Sequence, residues 1–135
     1  LHEPLAAYSP RSARLLDHIH AVGADSSAMI GDDLVHFDFH PGNVLTANGR
    51  LTGVVDWDGA TRGDRHLDLV TLRFTLTARA PHLTGPLDDR LSALPDRRRR
   101  AYWAHLSLRQ VDWSIRHHDD TTVEKWLTVA ESGLD

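Results

Sequence analysis

The chain has no cysteine, which excludes disulfides, thiolate zinc sites and cysteine nucleophiles together. Lysine is almost as scarce, with Lys125 near the C-terminal end the only one. No apolar run approaches the roughly 20 residues that cross a bilayer, and the opening LHEPLAAYSP has no basic stretch leading into an apolar one, so no secretory leader is visible. Internal repeats and low-complexity tracts are also missing. Gly23 and Gly31 stand alone ahead of residue 34, so no glycine-rich phosphate loop precedes the stretch described below. The formal charge of −4 with neutral histidines argues against nucleic acid as the main partner and suits a cationic small molecule. What is present is ordinary for a globular protein: 41% hydrophobic and 25% charged residues in 135. That length suffices for one domain burying roughly 65–70% of its unfolded surface. A cytoplasmic setting with neither nucleic acid nor membrane as a partner is the expectation.

One stretch concentrates the chemistry: LVHFDFHPGNVLTANGRLTGVVDWD, Leu34 to Asp58. It holds His36, Asp38 and Asn43, then Asp56-Trp57-Asp58 at the end of an apolar run. Phosphoryl transfer needs a carboxylate to receive the acceptor hydroxyl and its proton, plus oxygen ligands for Mg²⁺. Kinases take the base and one ligand from a loop of pattern H-x-D-x-x-x-x-N, and a second ligand Asp from further along. Asp38 and Asn43 have that spacing. Pro41 and Gly42 force a turn that lets Asn43 fold back towards Asp38. Val44 to Ala47 reads as a strand, Asn48-Gly49 as a two-residue turn and Arg50 to Val55 as the returning strand. This hairpin sets Asp56 near Asn43.

The runs HFDFHPGNVL, GVVDWD and GDRHLDLV (Gly63 to Val70) together resemble the aminoglycoside phosphotransferase and choline kinase group of small-molecule kinases, over residues 34–70. The resemblance implies an α+β, mostly helical fold: the carboxy-terminal lobe of a protein-kinase-like architecture, residues 1–135 forming one domain with a β-hairpin at the catalytic loop. It implies Asp38 as catalytic base, Asn43 and Asp56 as Mg²⁺ ligands through hard oxygens, and Asp58 as a second metal ligand or a brace. His36, His40 and Asp68 support the loop, Asp68 by hydrogen bonding to it. Mg²⁺ and ATP, or another nucleoside triphosphate, are the implied cofactors, and a small-molecule hydroxyl is the implied acceptor. Kinases of this fold also have an amino-terminal lobe with a phosphate-pairing lysine and a loop over the nucleotide. Neither is found here, so the chain is expected to need that lobe in cis or in trans, and turnover by the chain alone is an open question.

Two other readings compete. His36, Asp38 and His40 alternate, and on an extended strand they would share a face able to hold one iron or zinc ion. Alternatively, the fold persists as a vestigial binding domain without catalysis. Elsewhere, Ser9-Pro10 opens a helix carrying Leu15, Leu16, Ile19 and Val22, which Gly23 ends. Residues 24–33 form a polar connection burying Met29 and Ile30. His66 to Ala78 reads as a helix whose start Asp64 caps. A short helix is expected at Asp88 to Leu94, then a long one capped by Asp96 and a last one with a Thr121-x-x-Glu124 capping box. Arg97 to Arg100 read as a solvated face and His117 to Asp120 as a polar linker. Asp112, Asp119 and Asp120 are candidate acidic contacts for a cationic acceptor.

Overall fold

The computed structural model describes residues 2–24 and 30–134. The described chain is mostly helical with two small antiparallel ladders, and it divides into two compact units, Leu1–Ala28 with Leu94–Asp135, and Met29–Ala93.

The first unit is helical. It contains α1 (Glu3–Tyr8), α2 (Pro10–Gly23), α5 (Asp96–His117) and α6 (Asp120–Ser132). Ser9 starts α2 with a reciprocal cap: its Oγ accepts the Ser12 N–H at 3.1 Å, and its own N–H donates to Ser12 Oγ at 3.0 Å. Leu15, Leu16 and Ile19 of α2 are buried, as are Tyr102, Leu106 and Val111 of α5. On α6, Val123, Trp126, Leu127 and Ala130 recur at three- and four-residue intervals and are buried together. Fully burying a side chain such as Leu127 contributes about 1.5–3 kcal/mol. Trp103 Nε1 donates to the Ala130 carbonyl at 2.9 Å, so the indole packs without an orphaned donor. Arg11 of α2 grips Glu131 of α6 with two nitrogens, at 2.8 and 2.6 Å.

The second unit holds the motif-bearing stretch. Its elements are β1 (Asp33–Val35), β2 (Val44–Ala47), β3 (Arg50–Val54), β4 (Thr61–Gly63), α3 (His66–Arg79) and α4 (Gly85–Leu91). β2 and β3 form the expected hairpin, with Asn48 at φ 51° and Gly49 at φ 73°, the double positive-φ turn that matches strand twist. A register shift falls between Leu45 and Thr46. β1 pairs antiparallel with β4, Asp33 opposite Gly63 and Val35 opposite Thr61, so Val35 is buried while Leu34 points outward. α3 buries Leu67, Val70 and Phe74 with Thr71 and Thr75, whose hydroxyls donate to the carbonyls four residues back.

Four local expectations change. Ile30 is 73% exposed instead of buried, because the ladder begins three residues later and no described element covers it; Met29 lies outside the described residues. α4 starts at Gly85 because Pro86 occupies its first turn, where a missing N–H costs nothing. α6 is capped by Asp119, which accepts the Thr122 N–H at 2.9 Å, so the Thr121-x-x-Glu124 box is not the cap. Asp96 is the first helical residue of α5, after Pro95, and pairs with Arg99 instead of capping. Among the described residues, no helix is long and apolar enough to cross a membrane.

Candidate active site

The site is built where β1 stops. Phe37 has φ 73°, a left-handed conformation that a bulky side chain adopts only when its surroundings hold it. Asp68, in the first turn of α3, supplies that hold. Its Oδ2 accepts the His36 N–H at 2.8 Å and its Oδ1 the Phe37 N–H at 3.0 Å. A carboxylate clamping two consecutive amides fixes the turn and aims the next residue, Asp38. A second tie brings β1 to the start of α3: Arg65 donates to Asp33 from its backbone N–H at 3.2 Å and its guanidinium at 2.6 Å. Arg65 thereby holds the Asp33 carboxyl below its ordinary range.

His36 joins the two halves of the motif. It is 2% exposed, and its Nε2 meets the Val55 carbonyl at 2.8 Å while its Nδ1 accepts the Asp38 N–H at 3.3 Å. That pair of bonds places the ring proton on Nε2. The imidazole lies 4.5 Å, centroid to centroid, from the Trp57 ring. Val55 also donates its N–H to the Asn43 carbonyl at 2.9 Å, so one residue anchors the strand end to both arms of the loop.

The loop closes through a short turn, Pro41–Asn43. His40 caps it, Nδ1 accepting the Gly42 N–H at 3.1 Å. Asn43 is buried and folds back: Nδ2 donates to the Asp38 carbonyl at 3.0 Å and approaches Asp38 Oδ2 at 3.4 Å. This leaves its amide oxygen as a hard ligand atom. Asp38 itself is half exposed, with His40 Nε2 3.5 Å from Oδ2. After β3 the chain turns again at Asp56, φ 65°, whose exposed carboxylate follows directly on the Val55 anchor. Asp58 is exposed in the Trp57–Ala60 turn. Asp64 is buried and accepts the His66 N–H at 3.0 Å at the start of α3.

These contacts bring His36, Asp38, His40, Asn43 and Asp68 into one bonded cluster, with Asp56 adjoining it. Asn43 and Asp56 have the donor chemistry of a Mg²⁺ site: an amide oxygen not used by Asp38, and a solvent-facing carboxylate. The His36, Asp38 and His40 metal triad does not form. Phe37 breaks the strand that would align the three, and both His36 nitrogens are engaged elsewhere. Among the described residues, no group of three His, Cys, Asp or Glu side chains is arranged to hold a metal. In the first unit, Asp112 pairs with Arg116 at 2.8 Å, Asp119 caps α6 and Asp120 accepts the Tyr8 hydroxyl at 2.8 Å, so each suggested acidic contact has a structural partner. Asp33 and Val55 were not identified as site residues from sequence. The first acts through Arg65, 32 residues away, and the second acts through its backbone, so neither leaves a side-chain pattern to read.

The sequence profile of the phosphotransferase enzyme family matches residues 11–103. Hygromycin-B 4-O-kinase of Escherichia coli is 49% identical over 41 residues, 30% of this chain and 12% of that protein. The apo crystal structure of a thermostable mutant of aminoglycoside phosphotransferase APH(4)-Ia superposes with a TM-score of 0.73 at 27% identity, over 92% of this chain and 43% of its own. A ternary complex of a mutant of the same enzyme with AMP-PNP and hygromycin B gives a TM-score of 0.68 at 25% identity, over 90% and 42%. The chain thus spans less than half the length of these relatives. Its fold corresponds to the carboxy-terminal part of their kinase-like architecture.

Proposed function

The chain belongs to the phosphotransferase enzyme family, and from that premise we propose that it carries the catalytic half of a kinase moving the terminal phosphoryl group of a nucleoside triphosphate to a hydroxyl of an aminoglycoside-like small molecule. The observation that carries this reading is the convergence on Val55: its carbonyl takes His36 Nε2 and its N–H meets the Asn43 carbonyl, so the loop bearing Asp38 and the turn bearing Asp56 are locked together. A nucleotide-gripping half is supplied from outside these 135 residues, in cis or in trans, as the coverage of the longer relatives supports.

Asp38 receives the proton of the acceptor hydroxyl as that oxygen bonds to phosphorus and the bond from phosphorus to the bridging oxygen breaks, releasing the nucleoside diphosphate. Asn43, through its amide oxygen, and Asp56 would hold Mg²⁺, which when bound neutralises phosphate charge. Asp58, one turn further and exposed, is placed to assist on the solvent side or to brace the turn. His36 and Asp68 touch no reacting atom; they fix the backbone that aims Asp38. The relatives bind hygromycin B and adenine nucleotides, and the acidic balance of this chain suits a cationic acceptor of that class.

The test uses a longer protein in which this chain is joined to a nucleotide-gripping half. Asp38→Ala should lower transfer to an aminoglycoside hydroxyl by about 10²–10⁴-fold with nucleotide affinity retained, as expected for loss of a general base. Asp56→Ala should instead weaken Mg²⁺-nucleotide binding. Equal loss of nucleotide binding in both variants would contradict the division of roles.

A further inference from the structure

We propose that His40 is a positioning residue for Asp38: held in its Nε2–H tautomer by the Gly42 amide, it fixes one carboxylate oxygen so that the other receives the acceptor's proton. The inference rests on the phosphotransferase reading above and adds an atom-level assignment to it.

Three observations meet here. The Gly42 N–H donates to His40 Nδ1 at 3.1 Å, so that nitrogen is the acceptor and the ring hydrogen sits on Nε2. Nε2 in turn lies 3.5 Å from Asp38 Oδ2, a spacing that catalytic loops commonly tighten when substrate arrives. Asn43 Nδ2 approaches that same oxygen at 3.4 Å. Among the described residues, these two side-chain contacts on the Asp38 carboxylate converge on Oδ2, which assigns Oδ1 as the proton-accepting atom.

Gly42 provides an independent sign that the ring's place matters. A Cβ at residue 42 would lie 2.8 Å from His40 Cε1 and 3.0 Å from Nδ1, so any side chain there displaces the imidazole. The absence of a side chain allows the ring to lie over the turn with Nε2 turned towards Asp38. Pro41 limits the backbone of His40 to extended values, observed as φ −136° and ψ 165°, and this holds the ring on the same side as Asp38.

Capping the turn and positioning Asp38 are separable by substitution. In His40→Asn, the side-chain oxygen replaces Nδ1 and can accept the Gly42 N–H, as Asn does two residues back in many turns, but nothing reaches Asp38. In His40→Gln, a donor is restored at the distance of Nε2. Two measurements on the 135-residue chain report directly: the His40 tautomer from long-range nitrogen–proton NMR, and the Asp38 side-chain rotamer from three-bond couplings. In the longer protein, steady-state kinetics supply kcat and KM. Expected are an Nε2–H tautomer and one Asp38 rotamer in the wild type. His40→Asn should keep wild-type thermal stability while its Asp38 rotamers average, kcat falls about 10–100-fold and nucleotide KM is unchanged. Gly42→Ala should give the same kinetic signature, and His40→Gln should recover part of kcat. An Nδ1–H tautomer, or a His40→Asn variant with wild-type kcat and a fixed Asp38, would overturn the positioning role even with kinase activity intact. Absence of any transfer by the wild-type longer protein would overturn the underlying reading, while the tautomer and rotamer data would still judge the geometry.

Discussion

Removing the Asp68 carboxylate tests how the loop is held. Asp68→Ala deletes two hydrogen bonds from consecutive amides, at 2.8 and 3.0 Å, to one ionised acceptor. Bonds to charged groups contribute about 1.5–3 kcal/mol each, so about 3–6 kcal/mol of interaction is lost together. Part of this is offset: Phe37 is then free to leave φ 73°, relieving strain of about 1–2 kcal/mol. The expected net destabilisation is about 1–5 kcal/mol. Urea unfolding followed by circular dichroism measures it, and hydrogen exchange locates it, with the His36 and Phe37 amides losing protection before the α3 core does. Asp68→Asn should fall between, since its amide keeps one acceptor but turns a donor towards the other N–H. A loss below about 0.5 kcal/mol, the ordinary range for surface substitutions, with unchanged exchange at residues 36 and 37, would refute the clamp.

Other outcomes follow from the same geometry. Gly49→Ala should cost about 1 kcal/mol in chemical denaturation. No atom lies within 4 Å of a Cβ there, so the whole cost comes from φ 73°, and a neutral variant would mean the turn had changed type. In the first unit, Arg11 holds the Glu131 carboxyl below its ordinary value of 4.5. A depressed folded-state pKa adds stability that is present above about pH 4.5 and is lost as pH falls through the folded value. Glu131→Gln should therefore flatten the acid limb of a stability–pH profile and cost about 0.2–1 kcal/mol at neutral pH, since the pair is partly exposed. An unchanged acid limb would contradict it. Burial pushes the His105 imidazole down, with Arg109 adding to the effect. Stability tied to His105 should therefore be present above its unfolded value near 6.5 and lost below it, measurable as a falling melting temperature from pH 7 to 5 that His105→Gln reduces.

The hairpin could be read from sequence because its signals are local. Asn48-Gly49 demands two positive φ values, and alternating short strands flank it. The return of Asn43 to Asp38 was likewise legible, since Pro41 and Gly42 leave few paths for the backbone. What sequence could not supply were backbone partners. Val55 is an unremarkable apolar residue whose carbonyl and amide form the junction of the site. The left-handed Phe37 was also hidden, because its conformation is imposed by Asp68, 31 residues away, against its own preference. That one dihedral separates the observed cluster from an extended His-x-Asp-x-His strand able to ligate a metal. At the helix ends, the expected caps shifted by a few residues: Asp119 accepts the Thr122 amide and starts α6 ahead of the expected Thr121 box, and Pro86 starts a helix where it had read as a break.

As proposed, Asn43 and Asp56 form one phosphate-facing metal site beside Asp38. Paramagnetic NMR tests it most directly: the chain is titrated with Mn²⁺, a substitute for Mg²⁺, together with a non-hydrolysable ATP analogue, and amide broadening is mapped by residue. Expected is broadening that begins around Asn43 and Asp56, extends to Asp38 and disappears in Asp56→Ala. Broadening that centres on other acidic residues, such as Asp88 and Asp89 or Asp119 and Asp120, and survives Asp56→Ala, would contradict it.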